Sequence, residues 1–160
     1  MSSDDSATLV IRYLEAALAA GRSGDFTAAD ELLAEDATFH DPGPSASSGR
    51  STHQKRWKEL VGAFAELAFD VHDLIGAGER VVVRWSMRGT HGGEFAGVTP
   101  TDRELAMSGI TIYRVEDGRI AEAWSSYDEL GVLEQLGVLV EGDDGDDENL
   151  DPQSDLGMIV

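Results

Sequence analysis

Apolar residues recur at helical spacing in the first part of the chain. One stripe predicts a helix that begins at the N-cap Ser6 and ends at Gly21; its members are Leu9, Val10, Tyr13, Leu14, Ala17 and Leu18. The stretch DFTAADELLAED predicts a second, shorter helix with Leu32 and Leu33 facing inward. A brief strand then runs into a loop rich in Pro, Gly and Ser. A third helix, capped by Ser51 or Thr52, is indicated by the spacing of Trp57, Leu60, Val61, Phe64 and Leu67.

After Ala68 the hydrophobic period changes from helical to strand-like. The stretches FDVHDLIGAG and RVVVRWSMRGTH predict two strands joined by a glycine turn. ELAMSGITIYRV and RIAEAWSSYD predict two more, joined by a tight turn at Asp117-Gly118. Helices followed by antiparallel strands predict an α+β domain, with three N-terminal helices packed on one face of a curved antiparallel sheet.

Composition narrows the class of protein. The chain has 160 residues, enough for one domain, and a formal net charge of −19, which would repel nucleic acid and anionic membranes. Lys55 and Lys58 are the only lysines, whereas carboxylate side chains are abundant. This composition favours a protein of a salt-rich cytoplasm. An ordinary acidic domain is the alternative. No cysteine is present, so disulfides and thiolate chemistry are excluded. The start has no signal-peptide pattern, which favours a cytoplasmic location.

The end of the chain differs in composition from the rest. From Glu141 the sequence EGDDGDDENLDPQSD carries many charges and few apolar residues, so it has little to bury in a core. We therefore divide the chain into a domain over residues 1–140 and a solvated acidic tail over residues 141–160.

Several stretches resemble the SnoaL-like polyketide cyclases of the NTF2-like superfamily. The matching pieces come in the family's order: the early helix with Tyr13, LLAEDATFHDPG, RWSMRGTHGGEFAGVTPTDREL, GITIYRVEDGRIAEAW and DELGVLEQLG. The resemblance covers about residues 9–139. It implies a cone-shaped cavity between sheet and helices, a homodimer, and acid–base chemistry without a cofactor. It also implies that Asp128 carries the proton, as the Asp at the end of the last strand does in the cyclases.

Asp128 has a second interpretation from the residues alone. It stands just before a leucine-rich run, where an Asp commonly caps a helix, and a cap and a cavity position do not exclude each other. Strand alternation places Trp124, Ser126 and Asp128 on one face. A two-residue turn would set Asp128 opposite Met107, whereas a turn with a bulged Gly118 would set it opposite Ala106. Both registers give the carboxylate apolar neighbours.

Other side chains are candidates for the same cavity. Val83, Trp85, Met87 and His91 share one strand face, so His91 is the candidate catalytic partner of Asp128; a surface histidine at a hairpin end is the alternative. Tyr13 and Tyr113 could donate a hydroxyl to a substrate carbonyl, or pack in the core. The remaining candidate substrate-binding residues are His40, Trp85, Met107 and Trp124. We expect His53 and His72 to be solvated. The four histidines lack metal-ligand spacing, so no metal is expected; the absence of a cofactor is what the resemblance implies.

Two functions remain from different classes. The first is a cofactor-independent enzyme that cyclises, isomerises or dehydrates a small, mostly apolar carbonyl or ester compound. The second is a non-catalytic protein that binds a small molecule in the same cavity, since one fold hosts both. A protein–protein adaptor is less favoured. Apolar residues on the second sheet face, namely Val82, Ile110 and Ile112, predict a homodimer built on that face.

Overall fold

The computed structural model describes residues 1–42 and 46–138, and every structural statement below concerns those residues. The helices and strands follow one another as α1 (Ser3–Ser23), α2 (Thr27–Glu31), β1 (Leu33–His40), β2 (Ser47–Ser48), α3 (Arg50–Ala63), β3 (Phe64–Ala77), β4 (Arg80–His91), β5 (Glu104–Glu116), β6 (Arg119–Tyr127) and α4 (Glu129–Gln135). The predicted acidic tail, residues 141–160, lies outside the described residues.

Helix α1 starts earlier than its apolar stripe suggests. Ser2 is the N-cap and forms a capping box with Asp5, whereas Ser6, the predicted cap, is fully buried. The helix ends at Gly24, which adopts a left-handed conformation with φ of 81°. Two acidic residues in the first turn, Asp4 and Asp5, also complement the helix dipole.

The second helix is shorter than predicted, and the first strand is longer. Leu33, which we expected on a helix, begins β1 and is buried beside Ile120 of β6. Sheet pairing therefore overrides the local helical propensity of LLAED. A similar change occurs after α3, which ends at Ala63; Phe64 and Leu67 belong to β3 and not to the helix.

The strands form one sheet with the order β2-β1-β6-β5-β4-β3. Strands β3 to β6 are antiparallel neighbours, as the turn signals predict. Strand β1 adds a pairing that the sequence did not reveal, because it runs parallel to β6. The α+β fold with helices against a curved sheet is confirmed, and the sheet is mixed.

One face of the sheet, here called the inner face, packs against the helices. On β4 the odd-numbered positions are buried, namely Val81, Val83, Trp85 and Met87. The arginines at even-numbered positions are exposed on the opposite, outer face: Arg80, Arg84 and Arg88. The predicted alternation along β4 is confirmed. The pairing with β5 extends the inner face to Met107, Thr111 and Tyr113.

A bulge in β6 decides which of its side chains point inward. The tight turn pairs Glu116 with Arg119, as in the two-residue register. The register then shifts by one residue at Ala121, so that Trp124 of β6 pairs with Ile112 of β5. Neither predicted register is therefore correct over the whole hairpin. The shift moves Trp124 and Ser126 to the outer face and brings Ser125 and Tyr127 to the inner face.

A glycine in β5 makes room for the central aromatic side chain of the inner face. Gly109 lies opposite Trp85, whose indole is fully buried. A Cβ atom at position 109 would come within 2.4 Å of the Trp85 ring and 2.8 Å of the Ser126 carbonyl oxygen. The indole fits at this place on the sheet only because residue 109 has no side chain.

We predict that Gly109→Ala lowers the free energy of unfolding by about 1–3 kcal/mol, because the added methyl group overpacks the core. Gly62→Ala is the matched control, since Gly62 lies in α3 and a Cβ there meets nothing within 4 Å. The control should raise stability by about 0.5–1 kcal/mol. Urea unfolding of the two variants measures both values, and a neutral Gly109→Ala would contradict the packing argument.

Candidate functional site

Polar side chains are buried together where α1 and α3 pack on the inner face. His53, which we expected in solvent, is only 3% exposed, so that prediction is wrong. Its Nε2 atom is hydrogen-bonded by the Tyr13 hydroxyl and lies 3.0 Å from the donor Nε1 of Trp57. The ring also stacks on Phe39 of β1, with centroids 3.9 Å apart. This His53 cluster joins both helices to the sheet.

The hydrogen bonds of His53 fix its tautomer. The indole nitrogen of Trp57 only donates, so Nε2 of His53 must accept. The proton of the neutral ring therefore sits on Nδ1. That N–H is buried and has no hydrogen-bond partner in the described part of the chain.

Burial also keeps His53 uncharged. Loss of hydration, with a smaller repulsion from the Arg56 guanidinium, lowers the pKa of His53 from its usual value of 6.5 to about 3. The ring is therefore neutral over the physiological range.

A partly buried ion pair lies close to the same cluster. Asp41 follows directly after β1, and its carboxylate accepts a 2.5 Å hydrogen bond from Arg56 of α3. The side chains are only 6% and 12% exposed, respectively. Strand alternation explains the direction of Asp41, because Phe39 points inward and His40 outward. The parallel register pairs His40, the last residue of β1, with Trp124 of β6, so Asp41 leaves the sheet at this point.

Tyr113 of β5 lies in the same part of the interior as Tyr13 and Asp41. Its side chain is fully buried, its ring contacts Tyr13 at 6.3 Å, and its hydroxyl has no partner among the described residues. Burial raises the pKa of Tyr113 well above its ordinary value, and the negative charge of Asp41 adds to the effect. The hydroxyl therefore stays protonated and is available as a donor.

A second group of hydrogen bonds lies further along the inner face. Trp85 Nε1 donates to the Thr111 hydroxyl at 3.0 Å, and that hydroxyl is 2.9 Å from the Ser125 hydroxyl. Thr111 is on the same face as Tyr113, two positions away on β5. The polar groups of the interior therefore follow β5 and β6 from Tyr113 to Ser125.

The structure brings together several of the residues that the sequence singled out. Tyr13 and Tyr113 are in ring contact, and Trp85 and Met107 are buried on the same inner face. Their contact with a substrate is untested and stays a prediction.

His91 lies elsewhere in the interior. It is fully buried at the end of β4, roughly 30 Å along the strand from Val81, which faces Tyr113. Its Nδ1 accepts from the backbone N–H of Thr101, so the proton sits on Nε2. His91 thereby fixes the loop that leads into β5. Its predicted catalytic role with Asp128 has no supporting contact among the described residues.

Three predicted positions are corrected, two by the bulge in β6 and one, that of His40, by the alternation of side chains along β1. Trp124 lies on the outer face, where Arg80 packs over its ring, so it does not line the interior. His40 is also on the outer face, stacked on Trp124 and bonded to Glu122 at 2.8 Å. Asp128 is exposed, and its carboxylate caps α4 by accepting from the Gly131 N–H at 2.9 Å. The predicted inward orientation of Asp128 is wrong, and the predicted cap is confirmed.

Two groups of this candidate site, His53 and Asp41, were not identified from the sequence. His53 precedes Trp57 by four residues and so shares its buried helix face, a spacing that could have identified it. Asp41 could have been found as the residue next to His40 with opposite strand parity. Its pairing with Arg56 had no signal, because it depends on how α3 docks against β1.

Other kinds of site have no support in the described residues. Within 1–42 and 46–138, no three His, Asp or Glu side chains are arranged to hold a metal ion. No helix in that part of the chain is long and apolar enough to cross a membrane.

Comparison with known proteins identifies the class. Residues 8–136 match the family model of the SnoaL-like polyketide cyclases, and the chain belongs to this family. No match is found among curated protein sequences.

Solved structures agree with this assignment. IdmH of Streptomyces antibioticus, a candidate polyketide cyclase, is 34% identical over 78% of this chain and 96% of its own, with a TM-score of 0.64. TsrD of Streptomyces laurentii is 27% identical over 82% and 97%, with a TM-score of 0.71. A candidate SnoaL-like cyclase of Jannaschia shares the fold at 20% identity over 86% and 95%, with a TM-score of 0.73.

The buried neutral His53 predicts a pH-dependent stability. Between about pH 6.5 and 3 the unfolded chain binds a proton at His53 that the folded chain does not bind. Stability should therefore fall as the pH decreases through this range, by up to about 1.4 kcal/mol per unit from this group. Urea unfolding from pH 4 to 7 measures the slope. His53→Gln should reduce it, while the exposed His72→Gln should keep it; equal slopes would contradict the assignment.

Proposed function

We propose that the protein is a cofactor-independent acid–base enzyme that acts on a small carbonyl compound, with Asp41 as the proton carrier. The observation that supports this most is the Asp41 carboxylate, whose side chain is only 6% exposed and which lies beside Arg56 and influences Tyr113. A water-poor carboxylate near neutral hydroxyl donors is the arrangement that proton abstraction next to a carbonyl requires. The chain belongs to the cyclase family, and its structural neighbour IdmH is described as a candidate polyketide cyclase. Both facts favour the same chemistry.

The proposed reaction needs no group beyond these side chains. Asp41 takes a proton from the carbon next to the substrate carbonyl. The electron pair of that C–H bond forms a C=C bond, and the carbonyl π electrons move to oxygen to give an enolate. The enolate carbon then attacks a second carbonyl of the same molecule, and Asp41 returns the proton to the new alkoxide. This sequence is an intramolecular aldol closure with balanced atoms and charge.

Each neighbour has a distinct task in this proposal. The Arg56 guanidinium favours the ionised form of Asp41, which is the form that accepts a proton. The neutral Tyr113 hydroxyl is available to stabilise negative charge on the substrate oxygen. The aromatic walls, including Phe39 and Trp57, limit the access of water.

Asp128 is the second candidate for the acid–base group. The resemblance of DELGVLEQLG to the end of the cyclase family supports it, because the family's proton-carrying Asp occupies this position. Its exposure and its bond to Gly131 weigh against it. The two candidates are separated by one experiment.

Proton–deuterium exchange at the carbon next to a carbonyl tests the proposal without knowledge of the natural substrate. We expect the protein to catalyse this exchange on 2-tetralone in D₂O, as followed by NMR. Asp41→Asn should lower the enzymatic rate by about two to four orders of magnitude, because it removes the titratable proton. Asp128→Asn is the matched control and should keep the rate, since an amide oxygen can still cap α4.

Three other outcomes discriminate among the alternatives. Loss of exchange only in Asp128→Asn would transfer the role to Asp128. Equal loss in both variants together with lost stability would point to damaged folding and not to catalysis. Tight binding of the ketone with no exchange in the unmodified protein would favour a non-catalytic binding protein.

We also propose that the protein is a homodimer joined through the outer face of the sheet. The strand register aligns one row of largely apolar side chains across that face: Ile75, Val82, Ile112, Trp124 and His40. Ile110 beside this row is 47% exposed. A two-fold axis would bring two copies of this row together and remove it from water.

Light scattering tests the dimer. We expect the unmodified protein to show twice the monomer mass, at low and at high salt. Ile110→Glu should shift it to monomer, because a carboxylate would be buried in the contact. Leu130→Glu is the control, since Leu130 is equally apolar, 58% exposed and located on α4. A monomeric unmodified protein would contradict the proposal.

A further inference from the structure

Two buried donors without partners remain at the interior end of the site. We propose that the Tyr113 hydroxyl and the Nδ1–H of His53 bind carbonyl oxygens of one uncharged ligand. This inference rests on the proposed function and extends it, because it names the chemical class of the ligand and two side chains that position it.

The missing hydrogen bonds of these two donors point to a ligand. Tyr113 is fully buried and His53 is 3% exposed, and neither Tyr113 Oη nor His53 Nδ1 has a partner in the described part of the chain. Leaving a buried donor unsatisfied is energetically costly, and such groups are rare in folded proteins. A ligand that supplies acceptors would remove this cost for both groups.

The direction in which the two groups can form hydrogen bonds indicates which ligand atoms they bind. His53 Nε2 already accepts from Trp57, so the free side of the ring offers only an N–H. Tyr113 keeps its proton, because burial and the nearby Asp41 raise its pKa. The Nδ1–H of His53 can only donate, and the protonated Tyr113 hydroxyl is able to donate as well. A carbonyl oxygen, as in a ketone or an ester, accepts from both groups.

The charges around the two donors favour an uncharged ligand. Asp41 lies close enough to Tyr113 to disfavour a second negative charge there, and Arg56 already pairs with that carboxylate. The whole chain carries a formal charge of −19. A carboxylate or phosphate ligand would meet repulsion from both. An uncharged carbonyl compound binds without this penalty.

The two donors belong to one place in the fold. Tyr13 contacts both of their rings, with centroids 5.8 Å from His53 and 6.3 Å from Tyr113. Tyr13 itself is engaged with His53 Nε2, so it orients the histidine ring and leaves Nδ1 for the ligand. Tyr13 is thus a positioning residue in this proposal.

Infrared spectroscopy of bound acetophenone tests the inference directly. The carbonyl stretching band should move to lower frequency on binding to the unmodified protein, because hydrogen bonds weaken the C=O bond. Tyr113→Phe should move the band back toward its position in an apolar solvent and weaken binding about 3- to 10-fold, as expected for one lost hydrogen bond. Tyr127→Phe is the matched control, since it removes a hydroxyl elsewhere on the inner face and should keep the shifted band.

Two further measurements complete the test. Benzoate, which replaces the acetyl group by a carboxylate, should bind at least about tenfold more weakly than acetophenone at neutral pH. The ¹⁵N resonance of His53 Nδ1 should move when acetophenone binds, while that of the exposed His72 should not. Far-UV circular dichroism of each variant checks that it is folded.

The outcomes separate this inference from the proposed function. An unshifted carbonyl band, unchanged binding in a folded Tyr113→Phe, tighter binding of benzoate, or no saturable binding of acetophenone would each overturn the inference. Deuterium exchange that still depends on Asp41 would then leave the proposed function standing. A shifted band without any exchange would support the donor site and contradict the enzyme.

Discussion

The hydrogen bonds at His53 Nε2 are the constraint on which the interior depends. They join Tyr13 of α1 to α3, while the stacked Phe39 ties the same ring to β1. Three separate elements are thus held by one neutral imidazole. Its neutrality follows from burial, and its tautomer follows from Trp57. If this ring were charged or turned over, the turn of α3 that carries Arg56 would lose its fixed place opposite Asp41.

The sheet contributes a second constraint through one extra residue. The bulge at Ala121 shifts β6 by one position, which exchanges the faces of all residues that follow it. Ser125 and Tyr127 therefore point inward and Trp124 outward. The same shift decides which side chains of β6 lie on each of the two faces of the sheet. The inner face carries buried hydroxyl groups and the carboxylate after β1, and the outer face carries the apolar row and the arginines of β4.

The sequence predicted those features that depend on local patterns. The faces of β4, the Asp117-Gly118 turn and the α+β class follow from alternation and turn chemistry, and the burial of Tyr13 follows from its helical stripe. The exposed, outward position of Asp128 could not be predicted, because a bulge of one residue leaves no signal in a strand pattern. Asp41 and Arg56 are brought together by the packing of α3 on β1, which is a tertiary relation. The resemblance located the family correctly, and the structure moves attention from Asp128 to Asp41.

The central claim is that an uncharged carbonyl ligand is held between the donors of Tyr113 and His53, with Asp41 next to its reactive carbon. A crystal structure of the protein with bound acetophenone tests this most directly. The account predicts the ketone oxygen within hydrogen-bond distance of Tyr113 Oη or His53 Nδ1, and the methyl carbon facing the Asp41 carboxylate. A ketone bound beside Asp128, with both interior donors still unpartnered, would contradict it.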